Sequence, residues 1–516
     1  MRIAFLSWES LHSIAVGGLA AHVSELSETL SRQGHEVHIF TRAGDGQAPY
    51  EQIDGVHYHR CAYERCQSFV DDMDNMCRSF VSHVIATEDY IGPFDVVHAH
   101  DWLAANAMIW IKQARGRRCI LTIHSTEYGR CGNTFPGGVS ELIRQRERAG
   151  TYWADQVIAV SQVTKEEVMW LYQVPDWKVA VIHNGVFARR FDARVDVAAL
   201  RRKYGIRAGE RVVLFCGRLA TQKGPDILLE AVPDIVAAAR NVRILFAGDG
   251  DMRAALEARA RALKLNGAVT FLGYRKGPEL PDLFHTADIV CIPSRNEPFG
   301  IVVLEAWSAR KPVVVSRIGG PREFVTDGID GIKIEPTPHA IADALIGLLL
   351  DPDEARRMGE QGRLAVEQRF TWSHIAGRTT VVYNPGLAKE SSVPNSLGGA
   401  RAERATELKS VPSGLRLAVQ QLANTDFQLR FTGDADRTGE YWDEVVQILD
   451  SYSHFIREHV MPHFPAAGVE RSPASGPKTV LPARPRRDDG FAPKGEHSEP
   501  AKRRRRRTTR STTVAD

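Results

Sequence analysis

Two apolar rhythms alternate along most of the chain: short continuous runs, and longer stretches with a single apolar face. Residues 2–7 form the first run. From 19 to 32, Leu19, Val23, Leu26 and Leu30 share one helical face, Gly34 ends the helix, and 36–41 is the next run. Strand, helix, strand in that order predicts parallel pairing, because only a crossover helix brings two strands side by side in the same direction. Further strands are expected at 95–99, 119–123, 155–160 and 179–182, with a helix over 102–113.

The alternation restarts after Asn184 and Gly185. Strands are expected at 212–216, 243–247, 269–272, 289–293 and 312–316, separated by helical patterns, with a helix over 370–383 closing the second half. Short buried strands of this kind suit sheets covered on both faces. The fold class predicted is therefore α/β: two Rossmann-like, doubly wound parallel-sheet domains, 1–187 and 188–384, hinged near 184–192. Beyond them, 385–414 reads as a linker, 415–464 as an amphipathic helical extension, and 465–516 as a disordered basic tail rich in Pro, Ser, Gly and charge.

Composition narrows the class. A chain of 516 residues, 43% hydrophobic and 25% charged, is long enough for two cores, and a net charge of +3 gives the domains no strong pull toward nucleic acid or membrane. The cationic run 502–507 is either a solvated end or a peripheral tether to a membrane or anionic polymer. The opening MRIAFLSWES reads as a strand rather than a secretory signal, and no apolar stretch reaches the roughly 18 residues that a membrane span needs. The expected compartment is the cytoplasm, and 7 cysteines, an odd number, agree with a reducing one. His57, His59, Cys61, Cys66 and Cys77 lack paired metal-ligand spacing and read as scattered structural residues, so no metal site is expected there.

In open α/β sheets, ligands bind beyond the carboxyl ends of the strands. Four groups of polar residues fall there. Gly17 and Gly18 precede a helix, where glycine permits close approach of an anion to free amides, although any tight turn also uses glycines. Arg218 and Lys223 follow a strand; they suit a diphosphate, or are ordinary loop charges. The segment EPFGIVVLE, residues 297–305, places Pro298 and Gly300 where a helix begins. The amides of Phe299, Gly300 and Ile301 would then face the cleft, with Glu297 and Glu305 available to grip sugar hydroxyls. His98, His100 and His124 also follow strands, and His124 leads into a polar run. Asp249-Gly250-Asp251 reads as a turn, not as a metal pair.

Together these segments resemble family 4 of the retaining glycosyltransferases, which has the GT-B fold of two facing Rossmann-like domains around a cleft. The resemblance rests on GGLAAHVSELSETLSRQGHEVHIFT, DVVHAHDW, ADQVIAVS, VIHNGV, GRLATQKGPDILLEA, ILFAGDGDMR, VTFLGY, LFHTADIVCIPSRNEPFGIVVLEAWSARKPVVVS and GGPREFV, which occur in the family's order across 1–384. It implies a metal-independent hexosyltransferase using a nucleoside diphosphate sugar, UDP first with ADP or GDP behind it, no separate cofactor, and a hydroxyl acceptor. It further implies Gly17 and Gly18 as the donor-phosphate loop and Arg218 and Lys223 as the diphosphate clamp. His124 and Glu297 would stand beside the transferred sugar, Phe299, Gly300 and Ile301 would supply amides, and Glu305 would hold the ribose. Gly273 and Tyr274 would lie at the base. Starch and glycogen synthases share the VGGLA opening, but they carry a lysine shortly before the glycines, where this chain reads Ser13-Ile14-Ala15-Val16. A glucan synthase, a GT-B nucleotide-sugar epimerase and a catalytically silent scaffold are the alternatives.

Overall fold

The computed structural model describes residues 1–384 apart from 266, 276 and 278. The expectations for 385–414, 415–464, 465–516 and the basic run 502–507 lie outside the described residues.

The first half folds around an eight-stranded sheet. Its strands are β1 (Arg2–Leu6), β2 (Glu36–Arg42), β3 (Tyr50–Ile53), β4 (Val56–Cys61), β5 (Val96–His100), β6 (Arg118–Ile123), β7 (Gln156–Ala159) and β8 (Val179–Val181). Their order is β3-β4-β2-β1-β5-β6-β7-β8, parallel throughout except for the β3–β4 edge. The second half holds six parallel strands, β9 (Arg211–Cys216), β10 (Val242–Ala247), β11 (Val269–Gly273), β12 (Ile289–Ile292), β13 (Val313–Ser316) and β14 (Gly331–Ile334), in the order β11-β10-β9-β12-β13-β14. The two expected parallel-sheet domains are therefore present.

Each sheet is buried on both faces. Along β1, Ile3 and Phe5 join one cluster while Ala4 and Leu6 join the other. Along β9, Val212 and Leu214 alternate in the same way with Val213 and Phe215. Burying a side chain of this size contributes about 1.5–3 kcal/mol, which explains why the strands read as unbroken apolar runs.

Two features differ from expectation. The hairpin edge β3–β4 was not anticipated, because its exposed residues Tyr50, Glu51 and Gln52 give no apolar run. His57 and His59 belong to β4 and pack beside His38 of β2 (His38 Nδ1 to His59 Nε2, 2.9 Å), Cys61 and Cys77 are buried, and Cys66 is exposed. The second difference is the last described helix, Trp372–Tyr383. It packs on the first domain and not the second: Trp372, Ile375, Ala376 and Tyr383 join the cluster of Val23, Leu26 and Leu30 from the Gly18–Arg32 helix. The Tyr383 hydroxyl lies 2.6 Å from His98 Nδ1. Chain continuity suggested the second domain; the apolar face found its partner across the hinge. Among the described residues no helix is long and apolar enough to cross a membrane.

Both sheets have a switch point, where the strand order reverses and the loops diverge to leave a crevice. In the first sheet it lies between β1 and β5, in the second between β9 and β12. The loops after β1, β9 and β12 carry most of the candidate residues, His124 follows the neighbouring β6, and Gly273 ends the edge strand β11.

Candidate active site

Gly17 and Gly18 close the loop after β1 and open the Gly18–Arg32 helix, with Gly17 as N-cap. Part of this loop is already satisfied from within. The buried carboxylate of Glu9 accepts hydrogen bonds from the amides of Val16 and Gly17, the latter at 2.8 Å. Burial pushes the Glu9 carboxyl up, against these two amides and the charge of Arg42. The amide of Gly17 is thus engaged, and the first turn beginning at Gly18 is what remains for an incoming anion. A Cβ at Gly18 would come 3.1 Å from Ile301 Cδ1, so the loop abuts the helix of the other domain.

Arg218 and Lys223 flank the loop after β9. Arg218 is exposed and donates to Gln222 at 3.1 Å; Lys223 is half-buried and reaches both carboxylate oxygens of Glu297 at 2.8 Å. Ser294 Oγ adds a third hydrogen bond to Glu297, at 3.0 Å. Close glycine packing sets this spacing. Gly224 has φ +66°, and a Cβ there would stand 2.3 Å from the Pro293 carbonyl oxygen. Gly320 donates its amide to the Glu297 carbonyl at 2.7 Å, and a Cβ on it would lie 2.4 Å from the Pro298 oxygen.

The helix at the Glu-x7-Glu segment begins later than expected. It spans Ile301–Ser308, and Gly300 is not in its first turn but forms the N-cap, left-handed at φ 98°. Pro298 and Phe299 lie in the turn ahead of it. Glu305 is half-buried on this helix; desolvation, with Glu25 nearby, pushes its carboxyl up to about 7, against the opposing charge of Arg190. Gly273 ends β11 with φ 73° and accepts from the Gly248 amide at 2.9 Å, and Tyr274 beside it is 50% exposed, at the edge of the second sheet. Asp249 and Asp251 follow β10 as expected of a turn, Asp249 pairing with Arg253 at 2.9 Å.

His124 follows β6. Its amide donates to Asp101 Oδ1 at 2.7 Å, and Asp101 sits in the left-handed region (φ 58°) directly after β5. Burial raises the Asp101 carboxyl to about 6, with Arg130 opposing. Arg130 in turn pairs with buried Glu147 at 2.6 Å, so a charged network supports the loop behind the histidine. The His124 ring meets His100 (Nδ1 to Nε2, 3.1 Å) and His22 of the Gly18–Arg32 helix (ring centroids 4.5 Å). Burial holds His124 down at about 3 and pushes His22 and His100 well below the usual imidazole value, so all three rings are neutral at ordinary pH.

The domains touch through specific bonds. Glu323 accepts from the Gln162 and Val163 amides (2.9 and 2.7 Å), and Asn296 Nδ2 donates to Asn133 Oδ1 at 2.9 Å. Glu25 accepts from Trp372 Nε1 at 2.5 Å and pairs with Arg190 near the hinge. Glu9, His22, Glu25, Asp101, Arg130 and Glu323 were not singled out in the sequence. Each acts on a partner distant in the chain or through backbone amides, and neither leaves a local pattern.

Two facing α/β domains, with anion-suited loops at both switch points, define the GT-B class. Residues 16–190 match the family described as Glycosyltransferase Family 4, and residues 196–365 match Glycosyl transferases group 1. An uncharacterized glycosyltransferase of Methanocaldococcus jannaschii is 36% identical over 389 residues, covering 74% of this chain and 98% of the relative. Glycogen synthase of Mycobacterium tuberculosis is 32% identical over 399 residues, covering 74% and 94%. Among solved structures, sucrose-phosphate synthase of Thermosynechococcus elongatus aligns with TM-score 0.65 at 25% identity, covering 75% of this chain and 99% of that one. The chain belongs to the family 4 glycosyltransferases of GT-B fold.

Proposed function

We propose that the protein transfers a hexosyl unit from a nucleoside diphosphate sugar to a hydroxyl acceptor, with retention at the anomeric carbon and without a metal ion. The observation that carries this is the pairing of Lys223 with Glu297 at the β9/β12 switch point, on the segment whose Ile301 abuts Gly18 of the other domain. As the bond from the anomeric carbon to the diphosphate breaks, charge grows on the leaving oxygen. Arg218, Lys223 and the first turn at Gly18 would stabilise it, which leaves no need for a divalent cation. Glu297 and His124 would orient the sugar, with Phe299, Gly300 and Ile301 offering amides, and Glu305 would accept hydrogen bonds from the ribose. Gly273 and Tyr274 would flank the base. The acceptor oxygen attacks from the leaving-group face, and the departing phosphate oxygen takes its proton. UDP-sugars are the first donors to test, then ADP- and GDP-sugars.

A glucan acceptor is the second possibility, favoured by the likeness to a glycogen synthase. The absence of a lysine just before Gly17 counts against it.

The test is a panel of UDP-, ADP- and GDP-sugars with added chelator, scored by release of nucleoside diphosphate and by thermal shift. Simple sugars, glucans and lipid-linked hydroxyls serve as acceptors, and the product's anomeric configuration is read by NMR. Release with one donor and a retained configuration support the proposal. An inverted product, or a strict requirement for added metal, would refute it; epimerised donor without acceptor would identify an epimerase.

A further inference from the structure

We infer that His22, His100 and His124 form a binding site for a zinc-type divalent cation. The three rings come from three separate elements, the Gly18–Arg32 helix, the end of β5 and the loop after β6, and each has a ring nitrogen within 4.8 Å of the other two. This is the sole such group among the described residues.

Several details go beyond proximity. Asn184 Oδ1 lies 2.7 Å from His22 Nδ1; an amide oxygen accepts, so Nδ1 carries the proton and Nε2 presents its lone pair. That Nε2 has no hydrogen-bond partner although His22 is buried. A buried ring nitrogen without a partner is costly unless something occupies the space beside it. A histidine held through its other nitrogen by a carbonyl-type oxygen is the usual support of a metal ligand.

His100 Nδ1 and His124 Nε2 stand 3.1 Å apart. Zinc with nitrogen ligands at about 2.0–2.1 Å sets neighbouring donors about 3.3 Å apart in a tetrahedron, close to this spacing. Without metal one neutral ring donates its N–H to the other; when a cation binds between them, that proton moves to the other nitrogen of the same ring, so each imidazole stays neutral. His124 is only partly buried, unlike His22 and His100, which leaves a route of entry.

The site has a functional consequence, which rests on the proposed placement of the donor sugar beside His124. A cation there would occupy the sugar's space, so the site is inhibitory and distinct from any catalytic metal. The metal-free protein is the active form.

The experiment uses the full chain stripped with chelator. Co²⁺ is titrated by visible absorption, and Zn²⁺ by equilibrium dialysis with elemental analysis. One equivalent with a tetrahedral cobalt spectrum is expected. H22Q should weaken binding by more than about 100-fold, and N184A, which removes only the outer support, by about 10- to 100-fold. H59Q, in the separate histidine group on β4, should leave binding unchanged, which excludes general histidine affinity. Absence of stoichiometric binding, or H22Q binding as wild type, would overturn the site. In transfer assays Zn²⁺ should raise the apparent KM for donor in wild type, and that Zn²⁺-dependent rise should be lost in H22Q relative to H22Q in chelator. Metal bound as predicted with no effect on donor KM would uphold the site and count instead against the placement of the sugar beside His124.

Discussion

Lys223 Nζ stands 2.8 Å from each carboxylate oxygen of Glu297, so the cation assigned to the diphosphate is held by the carboxylate assigned to the sugar. A bidentate contact of this kind orients both groups before any donor arrives. It also means that a bound diphosphate must share Lys223 with Glu297.

Replacing Lys223 with Ala should lower kcat by about 100- to 1,000-fold, as expected for loss of one group stabilising transition-state charge. E297Q keeps the shape and loses the charge, and should also reduce kcat. Because the two residues touch, the double variant should lose less than the product of the single effects. Steady-state kinetics on the three variants check this, and full activity in E297Q would count against the proposed role.

Glu305 gives a pH dependence. Its carboxyl is raised to about 7 by desolvation, with Glu25 adding and Arg190 opposing. Ribose hydroxyls donate to the ionised form, so donor KM should rise as pH falls below about 7 and this dependence should flatten in E305Q. The stability effect has the opposite sense. A carboxyl whose folded value is raised contributes fully below its unfolded value of about 4.5 and loses that contribution as pH rises through about 7. E305Q should therefore gain Tm relative to wild type at pH 8 compared with pH 5. A parallel pair of Tm curves would refute it.

Trp372 is 2% exposed and donates to Glu25 at 2.5 Å, tying the last described helix to the first domain. W372A should cost about 3–5 kcal/mol of stability, measured by denaturant unfolding. Gly185 lies against the same ring: a Cβ there would fall 2.7 Å from it, so G185A should cost about 1–3 kcal/mol by overpacking.

Glu9 holds the Val16 and Gly17 amides. E9A frees the loop, and the donor KM should rise by about tenfold, equivalent to the roughly 1.4 kcal/mol of a charge-assisted hydrogen bond. An unchanged KM would show that the loop conformation does not depend on this carboxylate.

The strands around the switch points were legible because their burial on both faces forces unbroken apolar runs, as in β9 and β13. The Glu297–Glu305 segment was legible for a related reason: glycine, proline and two carboxylates at fixed offsets follow from one tight turn into one helix. The start of that helix was misplaced by three residues, because the left-handed turn at Gly300 depends on the packing of Pro321 against it. The edge pair β3–β4 was missed because a solvated strand carries no apolar run.

The sequence by itself determined two parallel α/β sheets and the loops that end their central strands, since local periodicity and glycine placement encode both. The tertiary structure alone decided that Trp372–Tyr383 returns to the first domain, that Glu9 fills part of the glycine loop, and that His22 meets His100 and His124. Those contacts join residues far apart in the chain, and burial with hydrogen-bond satisfaction selects them only after the sheets have formed.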